Sequence, residues 1–140
     1  DLVSGSGAIG IEALSRGAAE AVFVENAAEC QKVIQANLVH TKLQGRARLL
    51  QTDVLSALDR LAAEGKKFDI IFMDPPYEAG LYTSVLERIA ENGLLKAEGY
   101  LIAEGSSQIA LTIPKGMKIL REKVYKTTTL TFLCAEEENV

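Results

Sequence analysis

A carboxylate, two prolines and an aromatic ring follow directly after an apolar run. The run covers residues 68–73, and the residues that close it are Asp74, Pro75, Pro76 and Tyr77. Two consecutive prolines fix two φ angles and remove two backbone donors, so the carbonyl oxygens here stay free to accept hydrogen bonds. Pro75 also favours an extended conformation for Asp74. A rigid turn of this composition suits the binding of a planar amine, and a purely structural turn is the alternative.

A glycine-rich segment near the start of the sequence matches the pattern GxGxxG. It covers residues 5–10, with the sequence GSGAIG, between strand-like and helix-like residues. Glycine permits a close backbone approach, and a helix N-terminus offers free N–H groups. Glu25 follows at about the distance at which an acid holds a ribose in a dinucleotide site. The pattern fits NAD or another adenosine-containing cofactor, and it also fits a tight turn without a ligand and an exposed Glu25 beside Asn26.

Two further carboxylates lie where a cofactor could meet them. Asp53 ends a predicted strand and could accept a hydrogen bond from an adenine amine, while the Val54 N–H donates to the ring. The alternative for Asp53 is N-capping of the next helix, and the two roles are compatible. Asp1 lies where a carboxylate could meet the ammonium group of a cofactor.

Size and charge limit the possible functions. The chain has 140 residues, of which 48% are hydrophobic and 24% charged, which predicts one soluble globular domain over residues 1–140. No apolar run approaches the ~20 residues of a membrane span, so no membrane partner is expected. The net charge of −4 argues against a free-standing nucleic-acid binder, although positive charge can be local. Because the first motif begins at once, we expect the start of the first strand and an N-terminal segment to be missing.

Cysteine and histidine give no sign of a metal site or of a nucleophile. Cys30 and Cys134 lie far apart without a CxxC or Cys/His cluster, which predicts two reduced, buried thiols. His40 is the single histidine and is interpreted as a surface residue of a helix. We therefore expect no metal and no Ser-His-Asp set. The lysines and arginines within residues 115–126 could form a basic edge, but a solvated hairpin face is favoured.

Strand-like and helix-like segments alternate along the chain. Predicted strands end at Ser4 and cover residues 21–25, 47–53, 68–74 and 100–103, and predicted helices cover residues 11–16, 26–42, 55–65 and 81–93. Asn26 and Glu29 predict a capping box at the start of the second helix. Residues 117–125 and 127–134 predict an antiparallel pair. This order is typical of an α/β fold: a doubly wound, mainly parallel, Rossmann-like sheet with a C-terminal antiparallel β pair.

The ends of the predicted strands are where a ligand is expected. In an open α/β sheet, ligands bind beyond the C-terminal ends of the strands. Four predicted strand ends carry polar or glycine-rich signatures, namely residues 5–10, Glu25, Asp53 and residues 74–77. We expect them to share one crevice, and we expect the strand over residues 68–74 to be buried on both faces.

Three segments together resemble a known family. Residues 1–18 (DLVSGSGAIGIEALSRGA), residues 22–25 (VFVE) and residues 74–77 (DPPY) are similar, in order and spacing, to motifs of the bacterial small-subunit rRNA guanine-N2 methyltransferases. The likeness covers nearly the whole chain. The chain departs from the family at Val3-Ser4, where an aromatic and a small residue are commoner. The family's N-terminal segment, which is thought to help hold RNA, has no counterpart here.

The resemblance implies a cofactor, a substrate and a role for each site residue. It implies S-adenosyl-L-methionine, with Gly5 and Gly7 under its amino-acid part, Glu25 on the ribose and Asp53 and Val54 at the adenine. We assign Asp1, Ser4 and Asn26 to the same cofactor site. Asp74 and the Pro75 carbonyl would accept the two amine hydrogens, Pro76 would stiffen the turn and Tyr77 would stack on the base. The implied partner is ribosomal RNA or the assembling small ribosomal subunit, bound by a cytoplasmic monomer.

Other functions remain open at this stage. DPPY also occurs in adenine-N6 methyltransferases of DNA or RNA, although no recognition domain is inserted between the first motif and DPPY. An NAD-dependent oxidoreductase fits GxGxxG and Glu25 but leaves residues 74–77 unexplained. A cofactor-binding module without activity is the non-enzymatic alternative.

Overall fold

The structure is a computed structural model that describes residues 1–2, 4–74, 79–106 and 111–136. For residues 79 and 80 it describes the backbone alone. Helices and strands alternate through most of it. Their bounds are α1 Ala8–Ser15, β1 Ala21–Val24, α2 Ala28–Thr41, a 3₁₀ turn Gln44–Arg46, β2 Ala47–Leu50, α3 Val54–Ala63, β3 Phe68–Met73, α4 Ala79–Glu91, β4 Leu95–Ser106, β5 Met117–Tyr125 and β6 Thr128–Ala135. The chain divides into two compact units, residues 1–57 and residues 58–140.

The first unit is built on parallel strands. β1 pairs with β2 in parallel from Ala21 opposite Ala47 to Val24 opposite Leu50. Leu2 forms an isolated parallel bridge to Val24, at the position where the sequence predicts the end of a first strand. β2 ends at Leu50 and not at Asp53 as predicted, because residues 51–53 form the loop that leads into α3.

The core of the first unit explains why the third glycine of the motif is needed. Leu14, Phe23, Ile34 and Leu38 are buried together. A Cβ atom on Gly10 would lie 2.3 Å from Cε1 of Phe23, so only glycine lets α1 pack this closely on β1. The glycine-rich segment therefore has a packing role as well as a possible binding role.

The helices of the first unit begin and end at residues other than those predicted. α1 begins at Ala8, three residues before the predicted start, because Gly7 takes the left-handed conformation at its N-cap. The capping box of Asn26 and Glu29 is wrong: the N-cap of α2 is Ala27, and no side chain caps it. α2 ends before Lys42, whose left-handed backbone (φ 61°) closes the helix ahead of Gly45.

The second unit contains a four-stranded mixed sheet in the order β3-β4-β6-β5. β3 and β4 are parallel, with Met73 opposite Ala103, whereas β6 is antiparallel to both β4 and β5. The C-terminal antiparallel pair is therefore confirmed. β4 is longer than the predicted residues 100–103, since β3 and β6 pair with its two edges.

The expected burial of β3 on both faces is wrong in part. Ile71 and Met73 are buried, whereas Ile70 is 53% exposed and Asp69 is also exposed. The exposed residues lie in the N-terminal half of β3 and belong to both of its faces, because side chains alternate along a strand. The buried half of β3 is the half that leads to Asp74.

Helix α4 carries the predicted apolar stripe. Val85, Leu86 and Ile89 are fully buried, and Tyr82 is buried beside them. Gly93 follows the helix with a left-handed backbone (φ 58°), as predicted for a helix end. Within the described ranges, no helix combines the length and apolar character needed to cross a membrane.

Candidate functional site

Three loops meet at the C-terminal edge of the parallel strands in the first unit. The Ser4 N–H donates to the Val24 carbonyl (2.9 Å), and the Glu25 N–H donates to the Leu50 carbonyl (3.1 Å). These bonds extend the parallel register beyond the strands themselves. Three of the four predicted polar strand ends therefore lie side by side. That the fourth, residues 74–77, shares the same crevice stays a prediction.

The first loop is shaped by glycine backbone. Gly5 (φ 58°) and Gly7 (φ 80°) both have left-handed conformations, which side chains disfavour. The Gly7 N–H donates to the Ser4 carbonyl (2.8 Å), which closes a tight turn before α1. A Cβ atom on Gly5 would meet no atom within 4 Å, so the space beside this residue is open to a ligand.

Glu25 joins the first loop to the second. Its side chain is buried, with an exposed fraction of 5%. Oε1 accepts the Gly5 N–H (2.8 Å), and Oε2 accepts the Ala27 N–H (2.9 Å). The alternative of an exposed carboxylate at the helix entry is therefore wrong. Each carboxylate oxygen can accept a further hydrogen bond, so Glu25 keeps acceptor capacity for the two hydroxyl groups of a diol.

The other residues of the first two loops that were predicted to bind the cofactor differ in their contacts. Oδ2 of Asp1 accepts the Gly10 N–H (3.1 Å) in the first turn of α1, and the Ser4 hydroxyl donates to the Asp1 carbonyl. Asp1 and Ser4 thus brace the glycine loop. Asn26 is exposed at the edge of the second loop.

Asp53 caps helix α3. Oδ2 of Asp53 accepts the Ser56 N–H (3.1 Å), and hydrogen bonds from Ser56 lower the pKa of the Asp53 carboxyl. The N-capping alternative is therefore confirmed. N-capping is compatible with the predicted hydrogen bond from an adenine amine to Asp53, because this carboxylate is exposed and can accept more than one hydrogen bond. The Val54 side chain is buried below the loop.

In the second unit, Asp74 follows directly after β3 and is exposed. The other catalytic candidates, Pro75, Pro76 and Tyr77, lie outside the described residues. Asp74 has a neighbour that the sequence did not single out. Because Met73 is paired with Ala103, Glu104 occupies the next position on β4 beside Asp74. Burial raises the pKa of Glu104. A hydrogen bond from the Glu104 carboxyl to Asp74 and the negative charge of Asp74 raise it further.

A tyrosine on α4 binds the backbone beside this pair of carboxylates. The Tyr82 hydroxyl on α4 donates to the backbone carbonyl of Glu104. Burial raises the pKa of Tyr82 to about 12, and the negative charges of Asp74 and Glu104 add to the shift. Sequence reasoning missed Tyr82 and Glu104. Glu104 could have been found, since it follows the predicted strand over residues 100–103 as Asp74 follows its own strand.

The cysteines, the histidine and the basic residues of the C-terminal hairpin are the remaining candidates from the sequence. Cys30 and Cys134 are free and half-buried, and His40 is exposed near the end of α2. Among the described side chains, no group of three or more His, Cys, Asp or Glu residues could hold a metal ion. On the C-terminal hairpin, the Arg121 guanidinium lies 5.4 Å from the centre of the Phe132 ring.

The fold is of the α/β methyltransferase class. The crystal structure of SMU.776 in complex with S-adenosylhomocysteine has this fold, with a TM-score of 0.77 at 16% identity over 94% of this chain and 43% of that one. The family model described as conserved hypothetical protein 95 matches residues 1–134, and the chain belongs to that family. This match, together with the rRNA methyltransferase relative described next, confirms the family resemblance drawn from the sequence, whereas the guanine-N2 specificity stays a prediction.

Two of the similar proteins show the extent of the likeness. Ribosomal RNA small subunit methyltransferase D of Escherichia coli is 35% identical over 125 residues, which are 89% of this chain and 61% of that protein. The solved structure of a conserved hypothetical protein of Streptococcus pyogenes has a TM-score of 0.86 and 34% identity, and the match covers 97% of this chain and 84% of that one. The chain thus spans less than two thirds of the length of the E. coli relative.

Proposed function

We propose that this chain is the methyltransferase domain of an enzyme that uses S-adenosyl-L-methionine to methylate small-subunit ribosomal RNA. The observation that carries the proposal is the buried Glu25 carboxylate, which holds two loops together at the edge of the parallel strands. The family, with its rRNA methyltransferase relative, supports the type of substrate. In this proposal one domain fills residues 1–140, acts in the cytoplasm as a monomer and needs no metal.

The residues of the first unit fit the cofactor. The open space at Gly5 admits a ligand against the backbone, and Glu25 has two acceptor positions for a ribose diol. Asp53 and the Val54 N–H are assigned to the adenine. Gly7, Asp1 and Ser4 shape the loop under the amino-acid part, and Asn26 lies at the rim. When bound, S-adenosylmethionine supplies an electrophilic methyl group.

In the proposed reaction, the protein makes the exocyclic amine of the base a better nucleophile. An exocyclic base amine is a poor nucleophile because its lone pair is delocalised into the ring. In our proposal, Asp74 and the Pro75 carbonyl accept its two hydrogens and favour tetrahedral geometry at the nitrogen, an interaction strongest in the transition state. Tyr77 stacks on an unpaired or flipped base, which stabilises it by roughly 1–3 kcal/mol.

Within this proposal, the group that accepts the methyl group is the N2 amine of a guanine. The long first motif and its short path to DPPY support this choice, as does the absence of an inserted recognition domain between them in the sequence. Adenine-N6 methylation is the alternative. Assay of rRNA transcripts in which the candidate guanine is replaced by inosine, which lacks the N2 amine, separates the two: loss of methyl transfer supports guanine N2.

Cofactor binding is the first prediction to test. Calorimetric titration with S-adenosylhomocysteine should show micromolar binding, and NAD should not bind. Glu25→Gln should weaken that binding at least tenfold, because an amide offers one acceptor oxygen where a diol needs two. Glu29→Gln, an exposed change in the first turn of α2, is the matched control.

Two outcomes would count against the cofactor site. Binding of NAD alone would overturn the proposal. An unchanged affinity of Glu25→Gln for S-adenosylhomocysteine, with a thermal unfolding curve like that of the unsubstituted protein, would show that Glu25 does not bind the ribose.

A further inference from the structure

Two carboxylates stand side by side at the C-terminal ends of β3 and β4. The strands are parallel, and Met73 and Ala103 are paired. The next residues, Asp74 and Glu104, are therefore neighbours on strands about 4.8 Å apart. Met73 and Ala103 are both buried, and side chains alternate along a strand. Asp74 and Glu104 therefore project together from the opposite face of the sheet.

Carboxylates this close do not both carry a full charge easily. When two of them share a site, one takes up a proton and donates it in a hydrogen bond to the other. Asp74 is exposed, whereas Glu104 is half-buried, so the proton belongs more naturally on Glu104. Burial and Asp74 raise the pKa of Glu104 accordingly.

Titratable groups lie near Glu104 on two neighbouring elements, and a lysine lies in the same row two strands away. From β3 the titratable neighbour is Asp74, and from α4 it is Tyr82, whose hydroxyl donates to the Glu104 carbonyl. From β6 the residue paired with Glu104 is Leu130, which does not titrate, and on β5 Lys123 is paired with Leu130. The Tyr82 bond fixes the end of β4, so the position of Glu104 relative to Asp74 is set by the backbone.

We propose that Glu104 is a positioning residue for the methyl transfer assigned above. Its carboxyl group donates to one oxygen of Asp74, which turns the second oxygen toward the base amine. This role of Glu104 rests on the proposed function, because only a methyltransferase that acts on a base amine needs Asp74 to bind that amine. Glu104 itself does not touch the substrate or receive its proton.

The test compares two substitutions at Glu104. Glu104→Ala removes the donor, and kcat should fall at least tenfold while the KM for RNA and the Kd for S-adenosylhomocysteine stay within about twofold. Glu104→Gln keeps an N–H donor and should restore kcat to within about threefold. Glu98→Ala, an exposed carboxylate on the same strand, is the control and should leave kcat unchanged.

The pH profile gives a second, independent measurement. In the unsubstituted enzyme, kcat should fall as the pH rises through the raised pKa of Glu104, since loss of the shared proton leaves two adjacent negative charges. This fall should be absent in Glu104→Gln, whose donor does not titrate. Without any cofactor, carbon-13 NMR titration should show a lower pKa for Glu104 in Asp74→Asn, because the neighbouring charge is gone.

The outcomes separate this role from the proposed function. Activity of Glu104→Ala equal to that of the unsubstituted enzyme would overturn the role. Equal impairment of Glu104→Ala and Glu104→Gln would also overturn it, since the donor would not matter. Failure of the proposed function shows differently: there would be no S-adenosylhomocysteine binding and no rRNA methylation in the unsubstituted protein.

Discussion

Glu25 and Asp74 carry the proposed function in different surroundings. Glu25 is buried, and backbone N–H groups bind both of its oxygens, so its orientation is rigid before any ligand arrives. Asp74 is exposed, and Glu104 occupies the neighbouring position on β4. A rigid acceptor suits a ribose that is bound and released unchanged. An acceptor turned by a shared proton suits an amine whose geometry changes during the reaction.

Asp74 is the residue whose loss should separate binding from turnover. We expect Asp74→Ala to lower rRNA methylation by about 100-fold or more, because an acceptor for the developing charge is lost in the transition state. The Kd for S-adenosylhomocysteine should stay within several-fold. Both are measured on the same preparation, by transfer of radiolabelled methyl groups to rRNA and by calorimetry.

The control for this prediction lies at the other end of the same strand. Asp69 is exposed and pairs with Lys96 (3.1 Å), a surface ion pair of little energetic weight. Asp69→Ala should therefore keep full activity. A fully active Asp74→Ala variant would contradict the proposed mechanism.

At the scale of elements, sequence patterns located most helices and strands but missed where several of them begin and end. The apolar stripe of α4 and the hairpin of β5 and β6 were predicted correctly, because periodicity and turn residues are local signals. The capping box at Asn26 and Glu29 was wrong, since the helix begins two residues later, after a loop in which Glu25 accepts the Gly5 N–H and the Ala27 N–H. A local motif cannot reveal that a neighbouring residue is already held by tertiary hydrogen bonds.

The contact of α1 with β1 gives a prediction at this scale. Gly10→Ala would place a Cβ atom 2.3 Å from the Phe23 ring, so α1 or the ring must move. We expect a loss of roughly 1–3 kcal/mol in the free energy of unfolding, as for other overpacked cores. Urea unfolding measures it as a lower midpoint.

Gly45→Ala is the matched control for this change. A Cβ atom there would meet no atom within 4 Å, and its φ is not positive, so the midpoint should stay the same or rise slightly. An unchanged midpoint for Gly10→Ala would contradict the packing account of the third glycine.

For the whole molecule, the assigned cofactor residues all lie in the first compact unit. Binding of S-adenosylhomocysteine should therefore slow amide hydrogen exchange most strongly at residues 4–7, 25–27 and 51–54. A ligand at 100 times its Kd stabilises the bound state by about 2.7 kcal/mol, which is enough to detect as exchange protection. NAD at the same concentration is the control, and protection confined to residues 58–140 would contradict the assignment.

The sequence alone was enough for the order of the elements, the α/β class, the family and the polar strand ends. These follow from local patterns: alternating apolar periodicity, turn-forming glycines and prolines, and acids placed directly after strands. Only the tertiary structure showed that Glu25 is buried between two loops and that Glu104 stands beside Asp74. The physical reason is that strand register depends on packing between residues far apart in the chain. Which side chains become neighbours follows from that packing.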